Sequence, residues 1–402
     1  MACFPEYRRS QAQSRFLAAT RRCTRRQPDT QPGASIIRTN AQPGGPSAFP
    51  QPVVARRARP SRDGARIAAL SISDQPDKLD QTDALDRLEL DGDEFAQGIF
   101  ARCGVERRSL QLSDDLLELT LQGRTAQVEH ELLSRSIDAI DALDLDLGEI
   151  GTIVSASLYS LGVPTLAHRL VDHYAMDPTT DKYHVTGVGC ASGVPLMKLA
   201  AQALPGHPGK HALVVAAESM SGILTRAGDE DTRAKTVGSS LFGDGCAVAL
   251  LSADPRADGP LILASQVHHV AGTLGAVTLE CSDDDSHLHL ARELPDIAGA
   301  ELGAVVERFL SANDIAHERI DHWLVHPGGR RIIENVESAL HLSNEQTAIS
   351  WQALADHGNI GTPSIFYVLD QTIRSREPAP GERGLMVTIG PGVTLGLMLL
   401  GW

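Results

Sequence analysis

The sequence lacks any run of about 18 consecutive apolar residues, so no segment of it predicts a helix that spans a membrane. Its six cysteines, at positions 3, 23, 103, 190, 246 and 281, show neither the spacing of metal ligands nor a disulfide framework. We therefore expect no metal site and a reducing compartment, the cytoplasm. The net charge of −15 argues against nucleic acid as a partner, because a phosphate backbone requires clustered cations.

Residues 1–63 differ from the rest of the chain in charge. They contain twelve arginines, no lysine and three acidic residues, a net charge of +9, so the remaining residues carry −24. Proline, glutamine and serine are frequent in this leader, and the composition predicts disorder. An Arg-rich, acid-poor segment is typical of an organelle transit peptide. A translation start assigned too far upstream explains the composition equally, and we favour that interpretation.

Three glycine-rich stretches carry side chains that suit one reaction. They supply the thiol of Cys190, the imidazole of His326 and the carboxamide of Asn359, and they cover residues 187–193, 326–329 and 358–364. Glycine lets the backbone approach a ligand closely. A cysteine nucleophile needs a base or cation nearby, and a developing oxyanion needs fixed donors. The three residue types therefore predict an acyl-transfer site.

The position of Cys190 predicts a reactive thiol. A short apolar run ends in glycines just before Cys190, and a stretch with the period of a buried helix follows it. At the N-terminus of a helix the free amides and the dipole favour the thiolate and lower the thiol pKa. The alternative is a buried cysteine that acts only as a small hydrophobic residue. The glycines also imitate a dinucleotide loop, but no acidic residue follows at the required distance.

His326 and Asn359 each have a plain structural alternative. His326 ends an apolar run and precedes a Pro-Gly-Gly loop, so it is predicted at the end of a strand, where histidine is often structural. Asn359 next to glycine is a common turn pair, and the apolar segment after it predicts a helix. The coincidence of all three residues in one chain favours the catalytic interpretation.

Five sequence blocks identify a family resemblance. The chain resembles the type III polyketide synthases, the chalcone and stilbene synthase-like family of the thiolase superfamily, and more closely their bacterial, alkylpyrone-synthase-like members. The resemblance runs from about residue 64 to residue 402, and the blocks occupy residues 188–193, 241–245, 326–329, 358–361 and 390–392.

The resemblance implies an α/β fold, and strand-like and helix-like runs alternate along the chain as such a fold requires. The implied architecture is the thiolase fold, a duplicated five-layered α-β-α-β-α arrangement. Residues 64–255 would form the half that carries the nucleophile, and residues 256–402 the half that carries His326 and Asn359. Each half would contribute a five-stranded sheet, and the helices that follow Cys190 and Asn359 would form the central pair.

The resemblance also implies the roles of the three residues. Cys190 would accept a starter acyl group from coenzyme A, and His326 would maintain its ionised form. With Asn359, His326 would hold the carbonyl of malonyl-CoA while carbon dioxide leaves. The coenzyme A thioesters are substrates, so no bound cofactor is expected. The family works as a homodimer, and the residue that caps the partner's cavity corresponds to Val163 beside Pro164.

The pocket residues follow from the same resemblance. Phe242 matches the family's gatekeeping phenylalanine, and Leu288 stands where plant members carry a second one. Further expected pocket positions are Met220, Gly222, Ile223, Gly361, Gly390, Pro391 and Gly392. The flexible, apolar lining favours an aliphatic starter, because each buried methylene contributes about 0.8 kcal/mol. The expected product is an alkylpyrone or an alkylresorcinol.

Coenzyme A carries phosphates, so cationic side chains are expected around the entrance of the pocket. Arg102 corresponds to a basic family position, and Gly328, Gly329 and Arg331 are expected to contact coenzyme A. A solvated pair of arginines, Arg330 and Arg331, is the alternative.

Two other functions stay open from the sequence. A relative that performs one condensation, as ketoacyl-ACP synthase III does, would carry the same three residues. A scaffold that binds acyl-CoA without turnover is the second alternative, although the intact Cys190, His326 and Asn359 argue against it.

Overall fold

The computed structural model of the chain describes residues 64–73, 78–111, 119–160, 162–224, 232–281 and 286–402. The leader, residues 1–63, lies outside the described residues, so its disorder and its origin stay predictions. None of the described helices is both long enough and apolar enough to cross a membrane.

Thirteen strands are described. They are β1 (Arg66–Ser73), β2 (Leu79–Asp80), β3 (Arg107–Arg108), β4 (Ile150–Ala156), β5 (Asp181–Val185), β6 (His211–Glu218), β7 (Gly245–Ser252), β8 (Leu261–His269), β9 (Val277–Cys281), β10 (Ser286–Leu290), β11 (His322–Val325), β12 (Arg383–Gly390) and β13 (Thr394–Gly401). The described α-helices are α1 (Gln81–Arg87), α2 (Glu94–Phe100), α3 (Leu121–Asp141), α4 (Leu166–His173), α5 (Gly193–Ala203), α6 (Thr232–Leu241), α7 (Leu294–Ala312), α8 (Arg330–Leu340), α9 (Ala348–His357) and α10 (Ser364–Arg376).

Nine strands form one mixed sheet in the order β11-β12-β13-β8-β1-β7-β6-β4-β5. Strands β4, β6 and β7 are buried on both faces, which explains why their sequences are mainly apolar and do not alternate. Strands β1 and β8 pair only through Arg66 and Leu261. The sheet therefore consists of a five-stranded N-terminal half-sheet and a four-stranded C-terminal half-sheet that meet at one edge.

Alternate residues of the strands pack in different layers. Val214 of β6 and Met386 of β12 belong to a central core that includes helices α5 and α10. Their neighbours face outward: Leu213 packs with α3 and α4, and Leu385 packs with α7 and α8. The layers are thus helices, half-sheet, central helices, half-sheet and helices. This order is the five-layered thiolase fold that the sequence predicted.

The two central helices are in close contact. A Cβ atom on Gly193 of α5 would lie 2.4 Å from Cγ2 of Ile365 of α10, so a glycine is required for this approach. These helices follow Cys190 and Asn359, as predicted, and their N-terminal ends therefore bring the two side chains to the same place.

One detail of the expected architecture is wrong within the described residues. The C-terminal half-sheet has four strands where five were expected, and it continues the N-terminal half-sheet at an edge. The predicted boundary between residues 255 and 256 lies in the loop between β7 and β8. The division into two domains stays a prediction.

Candidate active site

Cys190 lies in a 3-10 turn, Gly189–Ala191, directly before helix α5. Gly189 has a φ of +52°, and a Cβ atom there would lie 3.2 Å from side-chain atoms of Leu158 and Pro391. The glycine therefore permits both the turn and the close packing around it. The prediction that Cys190 lies at the N-terminus of a helix is confirmed.

His326 and Asn359 reach the same cavity as Cys190 from two other loops, after β11 and α9. Nδ2 of Asn359 lies 3.6 Å from Sγ of Cys190 and donates to the carbonyl oxygen of Gly328 at 3.2 Å. Oδ1 of Asn359 accepts the N–H of Gly361 at 2.9 Å, which fixes the orientation of the amide.

The ring of His326 is 1% exposed and lines this cavity. Within the described part of the chain, neither of its ring nitrogens has a hydrogen-bond partner. A buried polar group without a partner is unfavourable, so a substrate that bonds to the ring would relieve that penalty. The ring is therefore positioned to interact with a molecule in the cavity.

Burial determines the protonation of the site. It raises the pKa of the Cys190 thiol to about 12, and the neighbouring carboxyl of Glu218 acts in the same direction. Burial also lowers the pKa of His326 to about 3. The predicted lowering of the thiol pKa is wrong for this structure, because the loss of hydration outweighs the hydrogen bond with Asn359 that lowers it. Both groups are neutral near pH 7 before substrate binds.

Glu218, at the end of β6, is a functional candidate that the sequence did not reveal. Its carboxyl is fully buried, accepts the N–H of Leu158 at 2.8 Å and lies 2.7 Å from Oγ1 of Thr362. The Thr362 hydroxyl also lies 3.2 Å from the carbonyl oxygen of Gly189. One hydroxyl hydrogen cannot serve both acceptors. A protonated Glu218 resolves this conflict, and burial raises its pKa to about 7.

The cavity next to Cys190 has a volume of about 50 Å³ and mainly apolar walls. Five expected residues line it: Phe242, Leu288, Gly328, Gly390 and Pro391. Sequence analysis missed the other apolar lining residues, which are Leu158, Val277, Leu290, Leu294, Ile332 and Ile389. These residues come from the loop after β4, the β9–β10 hairpin, helices α7 and α8, and strand β12, so only the folded chain brings them together.

Several expected pocket residues do not line this cavity. Met220, Gly222 and Ile223 lie in a buried 3-10 turn, where a Cβ on Gly222 would be 2.2 Å from Val128. Ile223 lines a smaller cavity of about 10 Å³ on the other side of Phe242 and Leu288. Two of the expected glycines lie against protein side chains: a Cβ atom on Gly361 would contact Glu218, and a Cβ atom on Gly392 would contact Thr394. Their contact with substrate stays a prediction.

Of the residues expected to bind coenzyme A, the two arginines are at the surface. Arg102 follows α2 and is exposed. Arg331, the second residue of α8, is exposed and pairs with Asp296 of α7 at 3.2 Å, whereas Gly329, which precedes the same helix, is buried. Gly328 alone of this group lines the catalytic cavity. Across the described ranges, no group of three His, Cys, Asp or Glu side chains could hold a metal ion.

Comparisons with known proteins agree with this geometry. A family model described as FAE1/Type III polyketide synthase-like protein matches residues 74–313, and one described as Chalcone and stilbene synthases, C-terminal domain, matches residues 261–401. A 3,5-dihydroxyphenylacetyl-CoA synthase from Amycolatopsis balhimycina is 28% identical over 84% of this chain and 93% of the relative. An alpha-pyrone synthesis polyketide synthase-like protein from Mycobacterium tuberculosis is 30% identical over 65% of this chain and 67% of the relative.

A solved structure shares the fold. The polyketide synthase PKS-I from the brown alga Ectocarpus siliculosus superposes with a TM-score of 0.77 at 23% identity, covering 84% of this chain and 98% of that chain. The first family model alone spans more than half of the sequence. With the five sequence blocks and the thiolase layers, these matches show that the chain belongs to the type III polyketide synthase family.

Proposed function

We propose that this chain loads an aliphatic acyl-CoA starter on Cys190, extends it with malonyl-CoA by decarboxylative condensation, and cyclises the product to an alkylpyrone or alkylresorcinol. One observation carries the proposal: Cys190, the Asn359 amide and the ring of His326, which has no hydrogen-bond partner among the described residues, meet at one apolar cavity. A nucleophile, a proton acceptor and a fixed donor are the groups that acyl transfer requires.

Loading begins with two neutral groups. As Sγ of Cys190 attacks the thioester carbon, its proton moves to the ring of His326. The bond from carbon to the sulfur of coenzyme A then breaks, and the departing thiolate takes that proton. The products are acyl-Cys190, neutral His326 and free coenzyme A. The mainly apolar lining of the cavity disfavours the water that would hydrolyse the new thioester.

Extension uses donors from two residues that line the cavity, Asn359 and His326. When malonyl-CoA loses its terminal carboxylate as carbon dioxide, the electron pair of the broken bond forms an enolate. Nδ2 of Asn359 and the single N–H of neutral His326 donate to the enolate oxygen. The enolate carbon attacks the acyl carbon, and Cys190 leaves as a thiolate, which takes up one proton from solvent and becomes the neutral thiol again. The longer chain is then attached to coenzyme A and returns to Cys190 for another round.

The walls of the cavity support an aliphatic starter. Leucine, isoleucine, valine and phenylalanine side chains dominate the lining, and burial of each methylene of an acyl chain contributes about 0.8 kcal/mol. The relative named for alpha-pyrone synthesis supports the pyrone, and closure of that ring also requires less of the enzyme. The acyltransferase chemistry, with coenzyme A thioesters and no bound cofactor, is part of the proposal.

The proposal includes a homodimer in the cytoplasm. Val163, next to Pro164, is 91% exposed, which suits a residue that a partner subunit covers. Strand β5 ends the sheet, and its Tyr183 is 41% exposed. Cys103, Cys190 and Cys246 are free thiols, which supports a reducing compartment.

Mass spectrometry of products tests the proposal. Purified protein receives malonyl-CoA and a series of acyl-CoA starters from short aliphatic to aromatic. We expect pyrone or resorcinol masses that increase with the aliphatic starter and disappear in Cys190→Ala. Products one condensation long would favour a ketoacyl synthase. If no starter acylates Cys190, the chain would be an acyl-CoA-binding scaffold.

A further inference from the structure

Arg108 is a buried cation that the proposed mechanism does not use. It lies in β3, and its side chain is fully buried. Its Cζ lies 5.6 Å from the centre of the Phe100 ring, a distance that suits a cation–π interaction. Burial lowers its pKa to about 10, so the guanidinium still carries its charge near pH 7. A charge is retained inside a protein only where it has partners.

The partners of Arg108 are carbonyl oxygens at the end of helix α6. The last carbonyls of a helix lack partners within it, and a cation there also interacts with the negative end of the dipole. Nη2 of Arg108 donates to the oxygen of Ser239, and Nη1 donates to the oxygen of Phe242 at 2.7 Å. The oxygen of Ser240 accepts from Nε2 of Gln81 at 2.8 Å. The end of α6, with Phe242, is thus held by Arg108 of β3 and by Gln81 of α1.

The same helix end is paired with the Asn359 loop. The N–H of Asn359 donates to the oxygen of Leu241 at 2.9 Å, and the N–H of Gly243 donates to the oxygen of Asn359 at 3.1 Å. A Cβ on Gly358 would lie 3.4 Å from Cδ of Arg108, so the methylene groups of Arg108 fill the space beside this loop. Movement at Arg108 would therefore displace Phe242 and Asn359 together.

We propose that Arg108 is a positioning residue for condensation, which holds Asn359 and Phe242 in place relative to Cys190. The role rests on the proposed function, in which Asn359 binds the enolate oxygen. Loading requires Cys190 and His326, and these residues lie after β5 and β11, on elements that Arg108 does not bond. Displacement of Asn359 should therefore reduce decarboxylation more than loading.

The test separates the two half-reactions in Arg108→Gln. Decarboxylation is followed as carbon dioxide released from malonyl-CoA, and loading is followed as the mass of acyl-Cys190. We expect decarboxylation to fall at least about tenfold, since a misplacement of 1 Å in an active site reduces rates by up to about a hundredfold. Loading should change by no more than about threefold. Arg107→Gln is the matched control, because Arg107 is exposed and pairs with Asp356 at the surface.

A double-mutant cycle with Asn359→Ala gives the sharper result. If Arg108 acts through Asn359, its substitution should add almost no further loss of decarboxylation in Asn359→Ala. If Arg108→Gln does not fold, Arg108→Lys retains a charge on a single donor nitrogen. It should show a smaller loss, again larger for decarboxylation than for loading. Equal losses of loading and decarboxylation, additive losses in the cycle, or no loss at all would overturn the inference. Wild-type protein that releases no carbon dioxide would instead contradict the proposed function.

Discussion

The carboxyl group of Glu218 links protonation to stability. Its pKa is about 7 in the folded chain, above the ordinary value of about 4.5, because burial disfavours the charged form. Between these values the unfolded chain releases its proton while the folded chain retains it. The free energy of unfolding should therefore fall as the pH rises through this window.

Glu218→Gln should remove this pH dependence, because the amide keeps an acceptor oxygen and does not ionise. As the pH rises from about 5 to about 8, the free energy of unfolding of the variant should increase relative to that of wild type by on the order of 1–3 kcal/mol. Urea denaturation at both pH values measures the difference, and Glu307→Gln, an exposed carboxyl on α7, is the control. If both variants changed the pH dependence of the free energy of unfolding equally, Glu218 would be excluded as the origin of that dependence.

Leu288 should control the length of the starter. It is 6% exposed and lies between the catalytic cavity and the smaller one beside Ile223. In Leu288→Phe the phenyl ring is larger than the leucine side chain and would occupy part of that space. Each methylene of the starter that no longer fits should lower the relative rate of that starter about fourfold. Competition between a short and a long aliphatic acyl-CoA, read by product mass, measures the shift. Leu274→Phe, 72% exposed, should leave the ratio unchanged.

At the scale of elements, the contact between α5 and α10 determines the separation of the catalytic loops. Gly193→Ala would place a methyl group 2.4 Å from Cγ2 of Ile365, so the helices must separate or the side chain must move. Overpacking of this kind destabilises a core by about 1–3 kcal/mol.

Urea denaturation measures this loss in Gly193→Ala. Gly206→Ala is the control near the end of the same helix, because a Cβ there meets no atom within 4 Å. If Gly206→Ala lowered the free energy of unfolding as much as Gly193→Ala, the contact between α5 and α10 would not be the cause of the loss.

The sequence predicted the elements that carry Cys190, His326 and Asn359, because glycine and proline mark the ends of strands and helices locally. It did not predict the partners of Arg108 or the burial of Glu218. Arg107 and Arg108 are adjacent and identical in type, yet one is exposed and the other is fully buried. Likewise, nothing local shows that Glu218 at the end of an apolar strand meets Thr362. Such contacts depend on chain segments that only the fold brings together.

At the scale of the whole molecule, the two half-sheets share one core. Residues of both halves pack against the same central helices, α5 and α10, although the half-sheets pair directly only at Arg66 and Leu261. A half that unfolded alone would expose the face that it buries against these helices. We therefore expect the halves to unfold together.

The distribution of tryptophan makes this expectation testable. All three tryptophans, at positions 323, 351 and 402, lie in the C-terminal half, whereas far-ultraviolet circular dichroism reports the helices of both halves. The fluorescence and circular dichroism transitions in urea should coincide, since a shared core makes unfolding cooperative. A fluorescence transition at a different urea concentration would show that the C-terminal half unfolds separately. The central helices would then stabilise one half-sheet far more than the other.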